Sequence, residues 1–274
     1  MDDSQAGFDL GPAPDSVRRW WGDLWRHREV LSMLARADFH VRYKRASFGV
    51  AWAVVVPLIQ GVVLAFVFSK VIRAAAFDGY SAYVISGILA WSYFNQTISV
   101  SSIAIVEGSG LTDKVWFPRA MLAIVPAIAN SAGLAVSMVI LLPLVPLLGG
   151  DFGPRLLILL PACLLLVAFT TFLSMALSAL HVYFRDVKFL VAAALLVWFY
   201  VTPVAYPKSL LGGWARVIDL NPMTGIINLF QMAVVASPPH WTRAVAVSLV
   251  ATAVLAVVST EAQRRHDRLF VDLL

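Results

Sequence analysis

The sequence predicts an all-α integral membrane protein: about six transmembrane helices, an N-terminal amphipathic interface helix and a re-entrant outer segment. Three observations carry this. Apolar residues make up 60% of the chain and charged residues only 14%, where a soluble domain carries roughly 25%. Mean hydropathy is +0.80. The charges cluster between long windows that hold none, the pattern of segments immersed in lipid. The net charge of +5 flanks apolar spans, which fits membrane orientation and anionic headgroups and gives no role to nucleic acid.

Residues 1–14, with Gly7, Gly11, Pro12 and Pro14, are expected to be poorly ordered, with no cleavable signal. Residues 15–47 form a cytoplasmic amphipathic unit. Asp15 or Ser16 caps a helix on which Val17, Trp20, Trp21, Leu24 and Trp25 share one face. That face fits the membrane interface or a protein surface, and three tryptophans favour the interface. A second basic stretch, Arg36, Arg42, Lys44 and Arg45, follows.

The six-helix domain covers 48–260. Its spans read Phe48–Ser69, Tyr80–Val106, Ala120–Leu148, Leu156–Leu180, Phe189–Tyr206 and Ala244–Thr260, with a cytoplasmic tail at 261–274. A further apolar run, Leu220–Ala236, is near the lower length limit for crossing and contains Asn221, Pro222, Asn228 and Gln231. Charge decides its topology. With six spans and the N-terminus inside, only Lys70, Arg73, Arg155, Lys208, Arg216 and Arg243 of the 21 Lys and Arg lie outside. A seventh span would put the basic tail outside. Residues 207–240 therefore read as re-entrant, with their non-helical backbone shielded by protein or facing water.

The spans hold no Asp, Glu, Lys, Arg or His away from their ends, so no intramembrane proton relay is available. No phosphate-binding G-x-x-x-x-G-K-[ST] loop occurs, so any ATP must be handled by another chain. The lone Cys163 reads as a packing residue, and no cofactor or metal is expected on this chain.

What the spans carry is uncharged polarity at helical spacing. Tyr93, Gln96, Thr97 and Ser101 share a face of the second span, Asn130, Gly133 and Ser137 of the third, and Thr170, Thr171, Ser174 and Ser178 line the fourth. Such faces suit helix packing or a pore wall for a hydroxyl-rich solute, and both readings stay open. Trp52, Tyr93, Trp198 and Tyr200 offer flat apolar rings with polar tips, chemistry suited to sugars. Two inside loops look specialised: Glu107 to Arg119, including Leu111, Lys114, Trp116, Phe117 and Pro118, and His181 to Lys188, including Tyr183, Phe184, Arg185 and Asp186. His181 beside Arg185 and Asp186 admits a catalytic reading, although an interfacial histidine is the commoner case.

The run Asp38-Phe39-His40-Val41-Arg42-Tyr43-Lys44-Arg45, followed by Phe48-Gly49-Val50-Ala51-Trp52 and Pro57, resembles the start of permease subunits of ABC-2 type polysaccharide exporters. Trp116-Phe117-Pro118-Arg119, Tyr183-Phe184-Arg185-Asp186 and Asn221-Pro222-Met223 extend the resemblance over about residues 17 to 268. The resemblance implies two copies of the chain forming a channel, with two copies of an ATPase subunit carrying Mg-ATP docked beneath. It implies a polysaccharide cargo on a polyprenyl diphosphate, such as an O-antigen, teichoic acid, capsule or galactan precursor, moved across the cytoplasmic membrane. The loops at 107–119 and 181–188 would contact the ATPase. Trp20, Trp21 and Trp25 would gate near the headgroups, with Arg42, Lys44 and Arg45 steering the diphosphate. Two alternatives are a membrane-embedded enzyme of lipid-linked glycan synthesis and an ABC-2 permease for a smaller amphiphile.

Overall fold

A computed structural model describes residues 16–44, 47–71, 77–112, 117–236 and 242–266, and every regular element among them is helical. The expectations for residues 1–14, Arg45, Lys114, Trp116 and the end of the tail lie outside the described residues. Ser16 caps α1 (Val17–Arg26) by accepting the Arg19 N–H at 3.3 Å. After a break at His27 come α2 (Arg28–Tyr43) and α3 (Trp52–Phe66), which continues in π-helical form through Val71. Then follow α4 (Tyr80–Ser101), α5 (Ala104–Glu107), α6 (Ser109–Thr112) and α7 (Ala120–Leu147). The chain ends with α8 (Leu159–Tyr183), α9 (Val187–Val201), α10 (Ala215–Ile218), α11 (Pro222–Val234) and α12 (Thr242–His266).

Among the described residues, four stretches are long and apolar enough to cross a membrane: Gly49–Lys70, Ala120–Leu147, Pro154–Tyr183 and Arg243–Arg265. The apolar helices α9 and α11, of 15 and 13 residues, reach only about 20 Å. The 22-residue α4 is long enough but more polar, and its position explains why. It is the central helix, packed by α3, α7, α8, α9 and α11, and most of its surface meets protein rather than lipid. A helix surrounded by protein is free to carry Tyr, Ser and Thr where a lipid-facing helix is not.

Three helix ends differ from the sequence reading. The second span was expected to run to Val106, but α4 stops at Ser101 and α5 restarts at Ala104. The fifth was expected to reach Tyr206, but α9 stops at Val201, because Pro203 drives the preceding Thr202 to extended backbone (φ −90°, ψ 131°). The final helix overruns its expected end at Thr260, and Glu261 pairs with Arg264 (2.7 Å) and Arg265 on its last turns.

The described residues fold around two apolar cores. The larger joins α3, α4, α7, α8, α9 and α11. At its one end the loops pack tightly. Gly79 opens α4 in left-handed backbone (φ +81°), where a Cβ would sit 2.9 Å from the Gly149 carbonyl. The smaller core lies at the opposite end and gathers Trp20 and Leu24 of α1, Ile105, Phe117, the start of α7 and the end of α8. This divides the tryptophan face of α1. Trp20 is 3% exposed and Trp21 meets Phe172 edge-on at 6.3 Å, while Trp25 stays 72% exposed with the Arg28 guanidinium 5.7 Å from its ring. The face of α1 is therefore divided: Trp20 and Leu24 dock on the protein itself, and Trp25 is left open.

Candidate functional site

The polar residues of α4 fall on two faces. Tyr93, Thr97 and Ser101 are buried within the chain. The Tyr93 hydroxyl donates to the Ala127 carbonyl at 3.0 Å, and Asn130 Nδ2 donates to Thr97 Oγ1 at 3.0 Å, so this face fastens α4 to α7. Ser137 bonds back to the Gly133 carbonyl, and Gly133 admits Ala53 of α3. We expect Tyr93→Phe to lower stability by about 0.5–1.5 kcal/mol, the net worth of one buried hydrogen bond. A melting midpoint unchanged in detergent would remove the fastening role.

The second face holds Ser92, Asn95, Gln96 and Ser99, at i, i+3, i+4 and i+7. Asn95 and Ser99 are exposed, and Ser92 and Gln96 are half-buried. The strip starts below Ile85, where Gly61 brings α3 against α4. It is an uncharged polar surface set into an apolar exterior, rich in amide and hydroxyl groups. Of the channel-lining residues expected from sequence, only Gln96 lies on it. Trp52 and Tyr200 are exposed on α3 and α9. Trp198 is half-buried against Phe94 and donates from Nε1 to Asn221 Oδ1 at 2.7 Å. Ser92, Asn95 and Ser99, which share the strip with Gln96, are not among those expected residues, although their helical spacing is present in the sequence.

A second polar device supports the non-helical segment after α9. Four successive carbonyls, of Pro203, Val204, Ala205 and Tyr206, accept side-chain hydrogen bonds. Gln231 Nε2 donates to Pro203 (3.1 Å) and Val204 (3.2 Å), Tyr80 to Ala205, and Tyr83 to Tyr206 at 3.5 Å. Asn221 closes the lower end, accepting from Trp198, donating to Thr202 Oγ1 at 2.9 Å and capping α11 through the Met223 N–H.

At the Glu107 end, Glu107, Tyr183, Phe184, Arg185 and Asp186 all face outward. Phe117, Pro118 and Arg119 do not: they are buried, and Phe117 belongs to the smaller core. His181 is buried as well, so it does not share an open surface with Arg185 and Asp186. The side chain of Leu111 lies outside the described residues. Arg42 is held by Asp38 at 3.0 Å, and Lys44 is exposed.

The family model for the ABC-2 type transporter matches residues 29–235. The chain belongs to the ABC-2 type transporter family. It is similar to the O-antigen export system permease protein RfbA of Myxococcus xanthus, 28% identical over 216 residues that cover 76% of this chain and 81% of that protein. It is also similar to two proteins of the same name from Klebsiella pneumoniae. Each is 23% identical, over 201 and 206 residues, covering 73% of this chain and 77% of each relative. An ABC-2 permease is a multi-pass membrane subunit, a transport component without a catalytic domain, and it pairs with an ABC ATPase that handles the ATP.

Proposed function

We propose that this ABC-2 permease moves a polysaccharide linked to polyprenyl diphosphate across the cytoplasmic membrane. Two copies would enclose the path, two copies of a separate ATPase would drive it, and both chain termini would lie in the cytoplasm. The observation that carries the reading is the open strip of Ser92, Asn95, Gln96 and Ser99. Amides and hydroxyls exposed at membrane depth need water, a second copy or a polar solute against them. A strip without charges matches neutral sugar hydroxyls better than ions. The similarity to O-antigen export permeases over most of the chain supports the same cargo class.

In this reading α3, α4, α7, α8, α9 and α12 are the six spans, with α9 continued to Tyr206 by the cradled non-helical segment, and 207–240, described as far as 236, is the re-entrant outer segment. Trp21 and Trp25, with Lys44, face the headgroups and flank the entry. ATP binding closes the ATPase pair and pushes on Glu107 and on Tyr183–Asp186, so cargo and nucleotide turnover are linked reciprocally. The reading as a glycan-synthesising membrane enzyme gives way to the family membership, and the buried His181 agrees.

The test is to purify the chain with its ATPase in lipid and to follow export in cells. Asn95→Leu with Gln96→Leu is expected to lower export roughly tenfold, the loss of one or two solute hydrogen bonds of about 1 kcal/mol each. The complex and its melting point should stay intact. Export at the wild-type level would remove the strip from the path. Arg185→Glu is expected to release the ATPase during purification while shifting stability by no more than about 0.5 kcal/mol, as for an exposed site. Full retention of the ATPase would exclude this loop as its docking surface.

A further inference from the structure

A groove of about 430 Å³ runs along the outside of α12, away from the α4 strip. One wall is the stripe Val247, Val250 and Val254, continued by alanines; the other is Leu220 and Pro222. Arg243 stands at its mouth, at the end of the Arg243–Arg265 span. The Ser248 hydroxyl donates across to the Pro222 carbonyl at 2.5 Å, so the two walls are pinned together.

Its dimensions select the occupant. From Arg243 to Val254 the helix rises about 16 Å, close to half of a hydrocarbon core of ~30 Å. The apolar stripe runs from the cation to about the middle of the core, the path that one extended acyl chain follows below its headgroup. Among the described residues the lining is apolar except for Arg243, which lies where a headgroup would sit. A guanidinium binds phosphate oxygens in a fixed fork, and a net negative headgroup gains from the charge as well.

We propose that this groove binds one anionic phospholipid, its phosphate on Arg243 and one acyl chain along α12 to Val254. The lipid fills the space between α12 and the segment before α11 and thereby holds the two together. The site lies in whichever leaflet contains Arg243, so it does not depend on the proposed cargo or orientation.

The test is native mass spectrometry of the purified chain with added phosphatidylglycerol or phosphatidylcholine. Wild type is expected to retain one phosphatidylglycerol under activation that strips phosphatidylcholine. Arg243→Gln is expected to reduce that retained fraction roughly tenfold, and Val250→Trp, filling an exposed part of the groove, to abolish retention of both lipids. Arg155→Gln removes a cation from the same end without touching the groove and is expected to retain the lipid. Equal retention of both lipids by wild type, or equal losses in the Arg155 and Arg243 variants, would overturn the proposal. Efficient disulfide cross-linking of two copies through Val250→Cys would also overturn it, by placing protein over the groove.

Discussion

Replacing Gly225 with alanine is expected to cost about 3 kcal/mol or more, at or above the usual upper end for overpacking a core, and leucine there is expected to prevent folding. A Cβ on Gly225 would lie 2.2 Å from the Ala244 carbonyl oxygen and 2.5 Å from its carbon. Both belong to the backbone of α12, so no rotamer change relieves the clash. The helices must part by about 1 Å, and a gap of that size forfeits up to half of each dispersion contact along the crossing. The Ser248 bond to the Pro222 carbonyl is lost with it. No hydrophobic drive between helices in lipid offsets the loss, since close backbone approach is itself the source of association there. The measurement is the melting midpoint in detergent, with the fraction recovered as a single species. Gly22→Ala is the control: nothing lies within 4 Å of its Cβ, and in a helix interior alanine is expected to stabilise by about 0.5–1 kcal/mol. If Gly225→Ala melts with the wild type, the crossing is looser than described.

That crossing was not legible in the sequence, whereas much of the fold was. Chargeless windows located the long helices because lipid tolerates little else. The same logic located α4 even though its hydropathy is low, since absence of charge is demanded of a buried helix and a lipid-facing one alike. What periodicity leaves open is the assignment of faces. On α4, polar residues recur at 93, 97 and 101 and again at 92, 95, 96 and 99, and periodicity weighs the two sets equally. Only the position of α7 distinguishes them, by taking the bonds of Tyr93 and Thr97. The loop residues divide for a similar reason. Phe117 and Arg119 look like exposed interface chemistry in a basic, aromatic loop, yet both are buried beside the start of α7, Phe117 within the smaller core, while Phe184 and Arg185, in an equally aromatic loop, stay outside. Long-range packing decides such cases, and local composition carries no record of it.

Gln231→Leu is the second large effect expected, and it tests how irregular backbone survives inside this bundle. Pro203 and Pro207 prevent the segment after α9 from forming a helix, so the carbonyls of 203–206 lack the backbone donors a helix would supply. Three side chains supply them, and Gln231 alone serves two, at Pro203 and Val204. Each buried carbonyl left unpaired costs about 1–3 kcal/mol, so Gln231→Leu is expected to lose about 2–6 kcal/mol. Tyr80→Phe removes one such bond and is expected to lose about 1–3 kcal/mol. Tyr83→Phe is expected to lose least, because its bond to Tyr206 is already 3.5 Å long. The order Gln231, Tyr80, Tyr83 in melting midpoints is the signature. Volume cannot produce it, since the tyrosine variants lose one oxygen each and leucine fills much of the space of glutamine. Gly87 adds a check: a Cβ there would come within 3.2 Å of Gln231 Nε2 and 3.3 Å of Val204, so Gly87→Ala should perturb the same cradle from the α4 side. A double variant of Gln231→Leu and Tyr80→Phe is expected to fall short of the sum of the two losses, because a segment already released at Pro203 and Val204 no longer depends fully on Ala205. Strict additivity would mean the four carbonyls are held independently, and the segment could then move piecewise rather than as one unit.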